Sequence, residues 1–150
     1  MNIKTLTNII TKTEQSFSAL PLRLIAGILF VAHGAQKLFA WFGGYGLEGT
    51  GQWMESIGLA PGYLMALMAG SAEFFGGLFL IAGFLTRPTS FVLAITMIVA
   101  IFSVHIDNGL FMATNGYEFG LSLIAITFAL FIQGGGKHSV DEKIYNTLNK

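Results

Sequence analysis

Three ionisable side chains interrupt segments that are otherwise apolar. His33 and Lys37 lie within "LIAGILFVAHGAQKLFAWFGG" (24–44), and Glu73 within "GSAEFFGG" (70–77). His33 and Lys37 are four residues apart, so on a helix they share one face. An imidazole, an ammonium and a carboxylate held together can hydrogen-bond a carbonyl, stabilise developing negative charge and pass protons. The Gln36 amide adds a further hydrogen-bonding group beside them. A second polar group, His105, Asp107 and Glu118, follows later in the chain. His33, Glu73, His105 and Glu118 show neither HxxxH nor HExxH spacing, so no metal site is assigned. The chain has no cysteine, which removes thiolate metal sites, Fe–S ligation and a dithiol relay. A haem held by His33 and His105 fits poorly, because their expected depths differ by about 8 Å at helical rise. No glycine-rich nucleotide loop follows a strand. The chain therefore carries no redox-cofactor signature of its own.

What environment must hold these groups? Charged residues make up 11% of the 150 residues, where a soluble domain carries about 25%. The hydrophobic share is 53% and the mean hydropathy is +0.67. Four apolar runs are expected to be spans, at about 22–42, 63–84, 89–106 and 117–133. Each is close to the roughly 17–25 residues a helix needs to cross about 30 Å of hydrocarbon. No alternating pattern persists, and lipid requires every peptide group to be satisfied within its own segment, so helices are expected. Gly83 and Pro88 punctuate the second joint, two Asn-Gly steps (108–109 and 115–116) the third, and "GGGKHSV" ends the fourth span.

Lys4, Lys12 and Arg23 precede the first run, Arg87 lies in the second joint, and Lys137, Lys143 and Lys150 follow the fourth. The first and third loops have neither lysine nor arginine. The positive-inside rule then places both termini in the cytoplasm. Apolar sequence resumes at Leu38 after the small residues around His33, so the first run reads as an anchor and not a cleaved leader. Residues 1–19 resemble a short helix lying along the inner face. The first outer loop, 43–62, holds seven glycines. Its middle places Trp53, Met54 and Ile57 on one helical face, which predicts a short interfacial helix or a lid. The fold expected is an all-α integral membrane four-helix bundle.

On this topology His33 and Glu73 fall near mid-membrane on adjacent antiparallel helices, with Lys37 one turn further out. A bare charge there costs about 2.5–3.5 kcal/mol, so Glu73 is expected to pair with Lys37 or His33. Gly27, Gly34, Gly76 and Gly77 would let helices approach closely around them. The pair could be a ligand or proton site, or it could simply glue two helices. Arg23 is expected to snorkel to the inner headgroups. His105 and Glu118 could be a solvated rim or part of a site, and His138 is given no chemistry.

Arg23 followed by "HGAQK" (33–37), then "EFFGG" (73–77), "HIDNGLF" (105–111), "YEFGLSL" (117–123) and "GGGKHSVD" (134–141) resemble, in this order, the DoxX family of small bacterial membrane proteins. The resemblance covers about residues 20–142. It departs in the tail, where relatives commonly show Gly-Pro-Gly and this chain has Gly134–Gly136 without proline. It implies a four-span membrane domain at 20–134, between an N-terminal segment (1–19) and a cytoplasmic tail (135–150), in the bacterial inner membrane. Members are linked to membrane complexes that pass electrons between sulfur compounds and quinone, or to oxidative-stress oxidoreductases, often as an anchor or quinone-facing partner. Fold-level likeness does not by itself assign chemistry.

The function expected is a subunit or partner of a quinone-linked membrane oxidoreductase. His33, Lys37 and Glu73 would be its reactive groups, and His33, Gln36, Lys37, Glu73, His105 and Glu118 would contact the quinone. Electrons would come from a soluble or membrane oxidoreductase partner or a bound reductant. A non-catalytic module that binds or stabilises a lipid or partner protein is the alternative. A small transporter is a weaker one, because four spans without paired broken helices suit alternating access only in a dimer. The bilayer is the certain partner on this reading, a homo-oligomer is compatible with it, and zero net charge gives no reason to expect nucleic acid.

Overall fold

The computed structural model describes residues 3–150, with the side chains of Ile3 and Lys4 left out. Of the expected 1–19 segment, Met1 and Asn2 thus lie outside the described residues. Every regular element among those described is helical. The helices are α1 (Ile3–Thr11), α2 (Ala19–Phe39), α3 (Gly46–Ser56), α4 (Gly62–Ala82), α5 (Thr86–Ala100), α6 (Glu118–Gln133) and α7 (Val140–Leu148). Beyond Ala100 the α5 rod runs on through a π turn (Ile101–His105) and a 3-10 turn (Ile106–Asn108).

Three rods, 19–39, 62–82 and 86–108, are long and apolar enough to cross a membrane. The fourth apolar helix, α6, has 16 residues, about 24 Å at helical rise. α2 packs on α4, α4 on α5, α5 on α6, and α6 closes back on α2. Phe30, Leu80, Leu93, Leu123 and Leu130 fill the centre. Ile28, Met68, Phe75, Phe91, Phe102 and Phe128 point outward and are exposed. In water such a surface would be an aggregation liability; against acyl chains it is the expected face.

The α2–α4 contact is the most extensive, and its sequence cause is a stripe of small residues. α2 buries Ala26, Gly27, Gly34 and Ala35; α4 buries Gly62, Ala66, Gly70 and Gly77. A Cβ on Gly77 would sit 2.7 Å from both the Gly27 carbonyl oxygen and the Val31 nitrogen, so the two backbones nearly touch. Gly34 meets the backbone of Phe74 in the same way. Close approach of this kind replaces the hydrophobic drive that lipid removes. Gly76 serves the neighbouring contact, where it faces Leu93 of α5.

Helix ends follow their residue chemistry. α4 stops at Gly83 in the left-handed region (φ 65°), with the Phe84 N–H donating to the Phe79 carbonyl, a Schellman closure. Pro88 sits in the first turn of α5, where its missing N–H is harmless. α3 crosses the start of α4, and the Glu55 carboxylate accepts the Gly62 N–H there. Met54 is buried, whereas Trp53 and Ile57 are exposed. The three therefore do not share a single environment: one residue docks the helix and the other two face outward.

At the opposite end, α1, α7 and the segment between α6 and α7 gather over the joint between α4 and α5. Arg23 does not snorkel. It is 1% exposed and donates to the carbonyls of Ile81, Lys137 and His138. Asp141 accepts the Leu85 and Thr86 N–H groups, both at 2.8 Å, and so caps α5 from 55 residues away. Ser139 caps α7 by accepting from Glu142 N. The guanidinium is held inward because the end of α4 and the tail both present free carbonyls to it.

Candidate functional site

Lys37 Nζ donates to Glu73 Oε2 at 2.6 Å, joining α2 to α4. Of the two partners proposed for Glu73, the lysine takes the carboxylate. Glu73 lies on the buried stripe of α4 between Gly70 and Gly77, and its side chain is 4% exposed. Gly70 lets α2 close on α4 beside the bridge: a Cβ there would stand 2.8 Å from Leu38 Cδ2 and 3.2 Å from Lys37 Cβ. The lysine side chain is 24% exposed, so the pair is closed on the glutamate side and open on the lysine side.

His33, one turn before Lys37, is exposed. Its ring lies 5.8 Å from that of Phe119, tilted by 51°. Lys37, Glu73 and the Gln36 amide are its polar neighbours. Gln36 donates to the Phe42 carbonyl at 3.3 Å, tying its amide to the turn that ends α2. His33, Gln36, Lys37 and Glu73 thus form one polar group on α2 and α4.

His105 and Glu118 make no hydrogen bond to this group among the described residues. The Nδ1 of His105 pairs with the Asn115 carbonyl at 2.8 Å, and Glu118 accepts the Met112 N–H at 2.6 Å. Both brace the 106–117 loop. No group of three or more His, Cys, Asp or Glu residues suited to a metal ion occurs among the described residues.

Sequence reasoning missed Phe119, the ring against His33, because a phenylalanine in an apolar run carries no distinguishing signal. It also missed that Arg23 and Asp141 each tie the tail to the joint between α4 and α5, Arg23 through the Lys137 and His138 carbonyls and Asp141 through the Leu85 and Thr86 N–H groups. Ser139 and Glu142, spaced as in a capping box, were the available clue that the tail is built and not loose. Outside the spans, burial pushes the Asp141 carboxyl above its ordinary value, opposed by the Thr86 and Leu85 N–H groups and by Arg23.

A family model described as DoxX matches residues 18–106. The chain belongs to the DoxX family. Among DoxX-type relatives, a Bacillus subtilis (strain 168) protein named "Putative oxidoreductase CatD" is 37% identical over 109 residues, 73% of this chain and 75% of that one. "Inner membrane protein YqjF" of Escherichia coli K12 is 32% identical over 136 residues, covering 87% and 94%. A Haemophilus influenzae protein of no stated function is 33% identical over 128 residues, covering 83% and 88%. No solved structure matches the chain. With its apolar rods, the DoxX membership makes this a multi-pass membrane protein.

Proposed function

We propose that this DoxX protein is a subunit or partner of a quinone-linked oxidoreductase of the bacterial inner membrane, with His33, Lys37 and Glu73 as its quinone-facing site. On this reading α2, α4, α5 and α6 are four spans with both termini cytoplasmic. Lys12, Arg87, Lys137 and Lys143 fall at the end where α1 and α7 gather, and none falls in 40–61 or 106–117, which supports that orientation. The inner-membrane name of the Escherichia coli relative and the oxidoreductase name of the Bacillus relative agree with it.

The observation that carries the proposal is the asymmetry of the ion pair. Desolvation offsets the attraction of a buried pair, so burial alone is weak evidence for a stabilising tie, and a tie requires no opening on either side. Here Glu73 is sealed and Lys37 is partly open beside an exposed imidazole. Such a donor set fits a head bearing carbonyl oxygens. Lys37 would supply positive charge where negative charge develops, Glu73 would hold that ammonium oriented, and His33 would donate or accept the hydrogen bond that moves a proton. The quinone supplies the electron-accepting chemistry, and the electrons come from a partner protein or reductant. His105 and Glu118 serve the loop in this scheme and contact no quinone.

The glue reading is favoured by one fact, that the pair spans the most extensive helix contact. Binding separates the two. In detergent-purified protein, Lys37→Met/Glu73→Leu should abolish quinone binding while the protein stays folded, its stability lowered by only about 1–1.5 kcal/mol. A folded double variant that binds and supports activity as the wild type does would leave the pair a structural tie.

A further inference from the structure

α6 is too short to wall the site it faces. It has 16 residues against 21 in α2 and in α4, a deficit of about 7 Å at helical rise. The missing length can be located. The His33 ring packs on Phe119, the second residue of α6, so α6 begins level with His33. Lys37 stands one turn, about 6 Å, beyond that level, with no α6 beside it.

The loop that precedes α6, 106–117, does not fill the space. Its hydrogen bonds close on its own residues and on its flanks: Thr114 to Asn108 and Phe111, Gly116 to Phe111, Tyr117 to Gly109, Glu118 to Leu110. Among the described residues none of them reaches α2. Leu110, Phe111 and Met112 of this loop are exposed, so its apolar side chains are turned outward and not packed onto the site. The exposure of His33 has the same origin.

The geometry points to a notch at the end of α6, floored by Phe119 and walled by His33, Gln36 and Lys37, as the doorway through which a tailed quinone enters head-first from the leaflet on the loop side. This rests on the quinone reading above. The wall offers an ammonium, an imidazole and an amide, complementary to carbonyl oxygens, while the floor and the neighbouring loop are apolar and suit a tail left in lipid. Phe119 is then a positioning residue at the mouth: its ring sets the room beside His33.

Because the chain has no cysteine, a nitroxide can be placed singly. Phe119 is half-buried against the core, so in lipid nanodiscs a label on Phe119→Cys should collide with dissolved oxygen less often than one on lipid-facing Leu121→Cys but far more than one on buried Leu123→Cys. Adding a short-tailed quinone should lower the collision rate at least twofold at 119 and leave 121 unchanged. A label at 119 as shielded as that at 123 means there is no notch, and overturns the inference. Phe119→Trp should slow quinone uptake about fivefold, with Leu121→Trp unchanged. If Phe119→Trp misfolds, Phe119→Leu should speed uptake instead. Unaltered uptake in a folded Phe119 variant overturns the doorway while the quinone reading stands; an open label with no quinone binding to the wild type overturns both.

Discussion

Replacing Lys37 by methionine leaves the Glu73 carboxylate 4% exposed with its one ion-pair partner gone. A bare charge near the centre of a span costs about 2.5–3.5 kcal/mol, and breaking a buried pair from one side costs a similar amount. About 3 kcal/mol is therefore expected for Lys37→Met. Glu73→Gln should behave differently. Lys37 is 24% exposed and lies in the last turn of α2, so its stem can carry the ammonium toward the polar boundary. That loss should be about 1 kcal/mol, within the range of interhelical polar contacts in lipid. Lys37→Met/Glu73→Leu removes both charges and should cost about 1–1.5 kcal/mol, some 2–3 kcal/mol less than the two singles added. The assay is reversible unfolding of the four proteins in bicelles, titrated with SDS and followed by circular dichroism. Equal losses in the two single variants, or a double variant that loses their full sum, would refute the claim of a sealed carboxylate held by an open lysine.

Gly77→Ala places a methyl against the Gly27 carbonyl and the Val31 nitrogen and should destabilise by about 1–3 kcal/mol. Gly76→Ala meets only the Leu93 side chain, at 3.2 Å, and should cost well under half as much; the same SDS titration ranks them. Asp141→Ala strips two N–H groups at the start of α5 of their acceptor and should cost about 1–2 kcal/mol, read as a lower melting temperature in detergent. Because burial raises the folded Asp141 carboxyl above its ordinary value, the folded state holds that proton more strongly than the unfolded one. Its contribution is therefore present at lower pH and lost as pH rises through the folded value. The melting temperature of the wild type should fall over that interval relative to Asp141→Asn, and parallel pH profiles would contradict the shift.

How much of this was legible in the residues alone depends on how local the cause is. The apolar runs fix the four long helices to within a few residues, since length and hydropathy are local. The third began earlier than expected, at Thr86 and not 89, because Pro88 belongs inside the first turn. The Lys37–Glu73 pairing was also legible: two opposite charges at similar depth on neighbouring helices have few other partners. The ties made by Arg23 and Asp141 were not, because their partners are backbone carbonyls and N–H groups 55 or more residues away that no side-chain pattern reveals. The hydrogen bonds of His105 and Glu118 to the 106–117 loop were not legible either, because residue type alone does not reveal such local ties. The openness of His33 depends on where α6 begins relative to α2, a register set by packing.

The most direct test of the central claim is extraction of the purified protein and mass analysis of what it retains. The account predicts a quinone in roughly stoichiometric amount in the wild type, reduced at least tenfold in Glu73→Gln and in Lys37→Met. Protein that carries no quinone and takes up none when it is supplied, while folded and with Lys37 and Glu73 intact, would contradict it.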